Sequence, residues 1–162
     1  MMNRNGPSEH RLSDNRSFRR PWYMMMFPRI LSAAAQRRLQ AHLKKGGLIA
    51  YPTESCYGLG CVPTLSKALN QLIQLKKRPQ HKGMIVIGHS LEQLQPLLQR
   101  PSENIQTMLH EAWPAPKTFL LPVGKKVLPS LRGKRRSKLA VRVPAHAGAR
   151  RLCQVLEMPL VS

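Results

Sequence analysis

Two cations stand two residues apart in "LKKRP": Lys76 and Arg78, with Pro79 directly after them. Residues two apart on a helix point to nearly opposite sides. Proline biases the residue before it away from helical dihedrals, so Arg78 is expected to leave the helix. Lysine offers a mobile point charge and arginine a planar fork matched to phosphate or carboxylate oxygens. The pair therefore suits anion binding; it also suits a solvated helix end favoured by the dipole. Arg142 is alone in the apolar run "LAVRV", where a charge is costly unless it is paired or faces outward. The stretch "LIAYPTESCYGLGC", residues 48–61, carries one charged residue, Glu54. Pro52 is poorly placed inside a central strand and is expected to turn the chain out of the sheet. Thr53 and the amides after it would then emerge at a strand's C-terminal end, where open α/β sheets bind ligands. Gly58 and Gly60 permit a close backbone approach, and a plain tight turn explains them equally well.

What the residue types exclude is as informative. After residue 29 the acids are Glu54, Glu92, Glu103, Glu111 and Glu157. No two are spaced as a paired acid and base, which argues against a glycosidase or a two-metal hydrolase. Lys and Arg number 27 against 7 Asp and Glu, a formal charge of +20. Such an excess points to an anionic partner, or to a basic surface that only aids solubility. Cys56 and Cys61 are five apart, which fits neither a redox CxxC nor common zinc spacing. With no secretory signal, the three cysteines are read as reduced thiols of a cytosolic protein, and Cys56 as a small apolar filler rather than a nucleophile. No run approaches the roughly 20 apolar residues of a membrane span. "PWYMMMF" is too short for a signal-peptide core.

The elements that must position these groups alternate. Residues 1–28 are polar, Arg-rich and aperiodic, and are read as a disordered basic tail or a mis-annotated start. Residues 30–162 are read as one domain. Ser32 is expected to cap a helix that ends at Gly46 and Gly47. "LIAY" reads as a short buried strand. Thr64 is expected to cap a second helix with Leu65, Leu69, Leu72, Ile73 and Leu75 as its apolar stripe, ended by Pro79. "GMIVIG" reads as a strand covered on both faces. Ser90 and Ser102 start further helical segments, and Trp113, Pro114 and Pro116 break the chain. "TFLLPV" and "KLAVRV" are strands joined by a basic loop, residues 124–138. A helix over about 146–157 precedes a last strand in "MPLVS". Interleaved helices and strands make the class α/β.

Taken in order, "AYPTESCYGLGC", "LKKRPQHKGMIVI", "WPAPKTFLLP", "LAVRVPAH" and "PLVS" resemble the YrdC/Sua5 family, in its short bacterial branch of threonylcarbamoyl-AMP synthases. The resemblance runs from about Ile30 to Ser162. It implies a twisted mixed sheet flanked by helices, with a basic concave groove. It implies L-threonine, bicarbonate and ATP as substrates, with magnesium arriving on the ATP and no metal held by the protein. It also implies service to N6-threonylcarbamoyladenosine at position 37 of tRNAs reading ANN codons, with transferase proteins and tRNA or double-stranded RNA as partners. On it, Lys76 and Arg78 match the Lys-x-Arg that contacts ATP, both heads reaching one phosphate chain. Ser137 and Lys138 are further ATP candidates, as is Lys82. Thr53 and Arg142 match residues that hold threonine, Arg142 gripping its carboxylate in bidentate form. Tyr57 walls that pocket or simply packs. Glu54 has no assignment.

The sequence departs from the family at two places. After "PLVS" the family continues with Thr-Ser-x-Asn and further elements. The expectation is a truncated product, missing the C-terminal part of the fold and with little or no adenylation activity. "WPAP" stands where the family has Trp-Pro-Gly-Pro, which matters only if Ala115 needs positive φ.

Overall fold

The computed structural model describes residues 31–79, 81–125 and 127–162. The reading of residues 1–28 lies outside them. Helix α1 spans Ala33–Lys44, and the Ser32 hydroxyl accepts the Ala35 amide at 3.2 Å. Gly46 closes it at φ +90°, a conformation glycine adopts without steric cost. Strand β1 (Ile49–Pro52) follows, then β2 (Tyr57–Gly60), α2 (Ser66–Leu75), β3 (Ile85–Ile87), α3 (Leu91–Leu94) and α4 (Glu103–Ala112). The chain continues as β4 (Phe119–Pro122), α5 (Pro129–Arg132), β5 (Lys138–Arg142), α6 (Ala147–Leu156) and β6 (Leu160–Val161).

Four strands form a mixed sheet in the order β4-β5-β3-β6. β3 and β5 run parallel, and each takes an antiparallel neighbour on its outer side. The short apolar run of β3 is central, as its composition requires. Val86 faces one core with Leu69 and Leu72 of α2, Leu109 of α4, Leu131 of α5, and Leu139 and Val141. Ile87 faces a second core with Leu43 of α1, and Cys153 and Leu156 of α6. Helices thus cover both faces, and the period-2 pleat of β5 puts Arg142 on the α6 face, opposite Ile87 in register.

β1 and β2 form a separate antiparallel hairpin, Ile49 pairing with Gly60 and Pro52 with Tyr57. This corrects two expectations. Pro52 ends a strand but does not leave a central sheet, and Gly58 and Gly60 lie in a strand, not a loop. β1 is also less buried than its composition suggests, with Tyr51 alone fully inside. The hairpin meets β6: the Val161 amide donates to the Cys61 carbonyl at 2.8 Å, and the Tyr51 hydroxyl donates to the Val161 carbonyl at 3.1 Å. A Cβ at Gly60 would collide with that same carbonyl and with the Tyr51 ring, so the close approach glycine permits here is to the protein's own strand.

Other local expectations shift. Leu65, not Thr64, occupies the cap position of α2, with no side-chain hydrogen bond. Leu75 is 59% exposed, outside the apolar stripe. α2 also stops earlier than Pro79 dictates. Lys77 adopts φ +47°, its amide reaches the Gln74 carbonyl, and the Arg78 amide reaches Ile73, closing the helix in a Schellman motif. The basic loop contains the helix α5. Ala115 is not in positive φ and its amide donates to the Val143 carbonyl at 3.0 Å, so "WPAP" is accommodated.

Candidate functional site

The hairpin loop 53–56, the C-terminal end of β5 and the end of α2 converge on one cleft of about 540 Å3. Thr53 enters from the loop. Its amide and its hydroxyl both donate to the Cys56 carbonyl, at 2.9 and 2.6 Å, which tightens the turn. The hydroxyl oxygen keeps acceptor capacity for a ligand. Tyr57, the first residue of β2, stands at the mouth and is 76% exposed, so it packs against little of the protein. Cys56 is exposed beside it rather than serving as a buried filler.

Arg142, the last residue of β5, reaches into the cleft from the sheet. Its Nε donates to the Thr118 hydroxyl at 2.9 Å, and its Nη1 stands 3.7 Å from Glu54 Oε2. A protein carboxylate therefore attends this strand cation, where the sequence suggested a ligand alone would. Glu54 Oε1 accepts the Ala145 amide at 2.9 Å and the His146 amide at 3.4 Å, at the entry to α6. Burial opposes ionisation of Glu54. The amides of Glu54 itself, His146 and Ala145, and then Arg142, outweigh it and hold the carboxyl below its ordinary range.

Lys76 lines the same cleft from the C-terminal end of α2. Burial, and then the charge of Arg78, push its amine below the usual lysine range. Arg78 faces a neighbouring cavity of about 480 Å3, with Arg132, Arg135, Arg136, Ser137 and Lys138 along its lining and, among the described residues, no acid there. Its Nε and Nη2 both donate to the Gly83 carbonyl, at 3.0 and 2.6 Å. Ile85 lines both cavities. Lys76 and Arg78 of "LKKRP" thus serve adjoining spaces that share one strand residue. Lys82 does not join them. It lines a third cavity with Asn70, Pro79 and Lys134.

Sequence reasoning missed Ser162 as a cleft residue and Thr118 as the partner of Arg142, and left Glu54 unassigned. Thr118 lies 24 residues from Arg142, and Glu54 lies 91 from Ala145, so no local pattern joins them. The buried thiols are inert fillers: burial pushes Cys61 up to about 11 and Cys153 up to about 12. A further cavity, about 790 Å3, lies between α1, β1 and α6 and is mainly apolar. Its ionisable groups among the described residues are Tyr51, Arg150 and Arg151, so its size does not make it the chemical site.

A family model described as Sua5_yciO_yrdC, telomere recombination, matches residues 41–162. The chain is 77% identical over 138 residues to a threonylcarbamoyl-AMP synthase of Neisseria gonorrhoeae, covering 85% of this chain and 73% of the relative. A synthase of the same name from Laribacter hongkongensis is 49% identical over 134 residues, covering 83% and 71%. Among solved structures, P. abyssi Sua5 complexed with L-threonine superposes with a TM-score of 0.70 at 31% identity, covering 79% of this chain and 37% of that one. E. coli YciO superposes with a TM-score of 0.65 at 27% identity, covering 78% and 62%.

Proposed function

The chain belongs to the Sua5/YciO/YrdC family, and from that premise we propose how its cleft works as an L-threonylcarbamoyladenylate synthase. The observation that carries the reading is the convergence of Thr53, Lys76 and Arg142 on one cleft, with a cationic cavity adjoining it. Arg142 takes the threonine carboxylate, oriented by Thr118 through its Nε. Thr53 and Tyr57 border the rest of the amino acid. The amine combines with carbon dioxide from bicarbonate to give a carbamate. A carbamate oxygen then attacks the α-phosphorus of ATP, and pyrophosphate leaves. Two anions must be held against each other and the developing charge on phosphate stabilised, which is work for positioning and fixed cations. Lys76 lines the cleft, and Arg78 lines the cavity that shares Ile85 with it, so the triphosphate runs from Lys76 toward Arg78, Ser137 and Lys138. Lys82, in its separate cavity, is left outside this path.

Magnesium enters on the ATP. Among the described residues no group of three or more His, Cys, Asp or Glu clusters to hold a metal. Among them, too, no helix is long and apolar enough to cross a membrane. The product serves N6-threonylcarbamoylation at position 37 of ANN-reading tRNAs in the cytoplasm, through transferase partners, with the exposed Arg135 and Arg136 beside the triphosphate path as the groups that meet RNA. Residues 30–162 act as one YrdC-like unit.

ATP binding tests this. A ligand at 100 times its Kd adds about 2.7 kcal/mol of stability, so ATP should raise the unfolding midpoint of the chain by several degrees. Lys76→Ala should abolish that shift while leaving duplex RNA binding within about threefold. A wild-type chain whose midpoint ignores ATP, or a Lys76→Ala chain that responds fully, defeats the reading.

A further inference from the structure

Among the described residues Glu54 is the single acid lining the cleft. Its two carboxylate oxygens are used unequally. Oε1 is committed to the Ala145 and His146 amides. Among the described residues no hydrogen bond within the usual distance and angle reaches Oε2, and Arg142 Nη1 stands 3.7 Å from it, beyond hydrogen-bond reach. An ionised carboxylate oxygen accepts two bonds, so Oε2 retains unused acceptor capacity beside a cation whose own fork is half used. The side chains of Glu54 and Arg142 are each 24% exposed, open enough to meet a ligand and enclosed enough to strengthen the contact.

Opposite charges placed side by side in this way complement a zwitterion. We propose that Glu54 is the specificity-determining residue for the free α-ammonium of the amino-acid substrate, receiving it on Oε2 while Arg142 receives the carboxylate. This rests on the reading of the cleft as the threonine site. The amide contacts to Oε1 fix the carboxylate in place before the ligand arrives, so little ordering is left to pay for on binding. The ligand's ammonium and carboxylate then cross the Glu54–Arg142 pair, each charge against its opposite. A ligand with no ammonium leaves Oε2 facing a cleft it does not fill, and a neutral hydroxyl there replaces only the weaker kind of hydrogen bond.

The test compares L-threonine with 2,3-dihydroxybutanoate of the same stereochemistry, in which a hydroxyl replaces the ammonium. Titration calorimetry on the wild-type chain should show a preference for L-threonine of about tenfold or more, the scale of a hydrogen bond to a charged group. Glu54→Gln keeps a carbonyl for the Ala145 and His146 amides and removes the charge. It should cut the preference to about threefold or less while leaving affinity for the hydroxy acid unchanged or improved. A purely structural role would weaken both ligands together. In wild-type protein carrying 13C-labelled glutamate carboxyls, the Glu54 resonance should move with L-threonine and stay in place with the hydroxy acid. That measurement decides the matter even where Glu54→Gln does not fold. Retention of the full preference in Glu54→Gln, or an unmoved Glu54 resonance, overturns the proposal. Arg142→Gln separates the two levels: it should weaken both ligands. If it leaves both unchanged, or if the wild-type chain binds neither, the threonine reading of the cleft falls and this proposal with it.

Discussion

At the scale of residues, Glu54 links three segments that are distant in sequence: its own hairpin loop, the end of β5 through Arg142, and the entry to α6 through two amides. Its depressed acidity has a consequence for stability. A carboxyl whose value in the fold lies below its unfolded value of 4.5 contributes stability above that pH, and the contribution is lost as pH falls through the lower folded value. Unfolding midpoints followed from neutral pH down to about pH 3 should therefore fall more steeply in the wild type than in Glu54→Gln. Parallel curves would show that the amide and guanidinium contacts contribute nothing. None of this was visible in "PTESCYGLG", where Glu54 is one acid in a neutral stretch. Arg142 was legible as a charge needing a partner, because its strand is apolar. The identity of that partner was not, since Glu54 and Arg142 meet only when hairpin and sheet dock.

At the scale of elements, local signals placed the helices well. Ser32 caps α1 as expected, and the end of α2 is set by backbone geometry at Lys77 rather than by Pro79. The hairpin was harder. "AYPTESCYGLG" reads as a strand followed by a loop because proline and glycine are strand breakers in a sheet interior. In a two-stranded hairpin the same residues sit at pairing positions, Pro52 exposed and Gly60 buried, and glycine at position 60 is required by what packs on it. β6 presses its Val161 carbonyl against Gly60 where a methyl group would stand. Gly60→Ala should cost about 1–3 kcal/mol, the range for overpacking, measured by chemical denaturation. A loss under about 0.5 kcal/mol, the level of a neutral surface change, would mean that hairpin and β6 separate freely.

At the scale of the whole molecule, the formal charge of +20 foretold an anionic partner but not its location. The fold concentrates Arg78, Arg132, Arg135, Arg136 and Lys138 around one cavity that no acid among the described residues lines, and places Lys76 and Arg142 in the cleft next to it. Two kinds of anion binding should then respond differently to salt. Contacts to about four RNA phosphates would lower duplex affinity by roughly 100-fold between about 50 and 200 mM salt. L-threonine, held by one partly enclosed ion pair at each end, should change by less than about threefold. Equal salt sensitivity for both ligands would contradict a division of labour between cavity and cleft.

By itself the sequence determined the caps at Ser32 and Ser90, the central apolar strand, the need to neutralise Arg142 and the family whose motifs the chain carries. Each of these is written within a few neighbouring residues, through capping, periodicity or an ordered motif. Only the tertiary structure decided that Lys76 and Arg78 face adjoining cavities, that Lys82 stands apart from both, and that Glu54 faces Arg142. Those relations join segments separated by tens of residues. They arise when β6 and the hairpin dock beside β3 and β5, a packing event that no local propensity encodes.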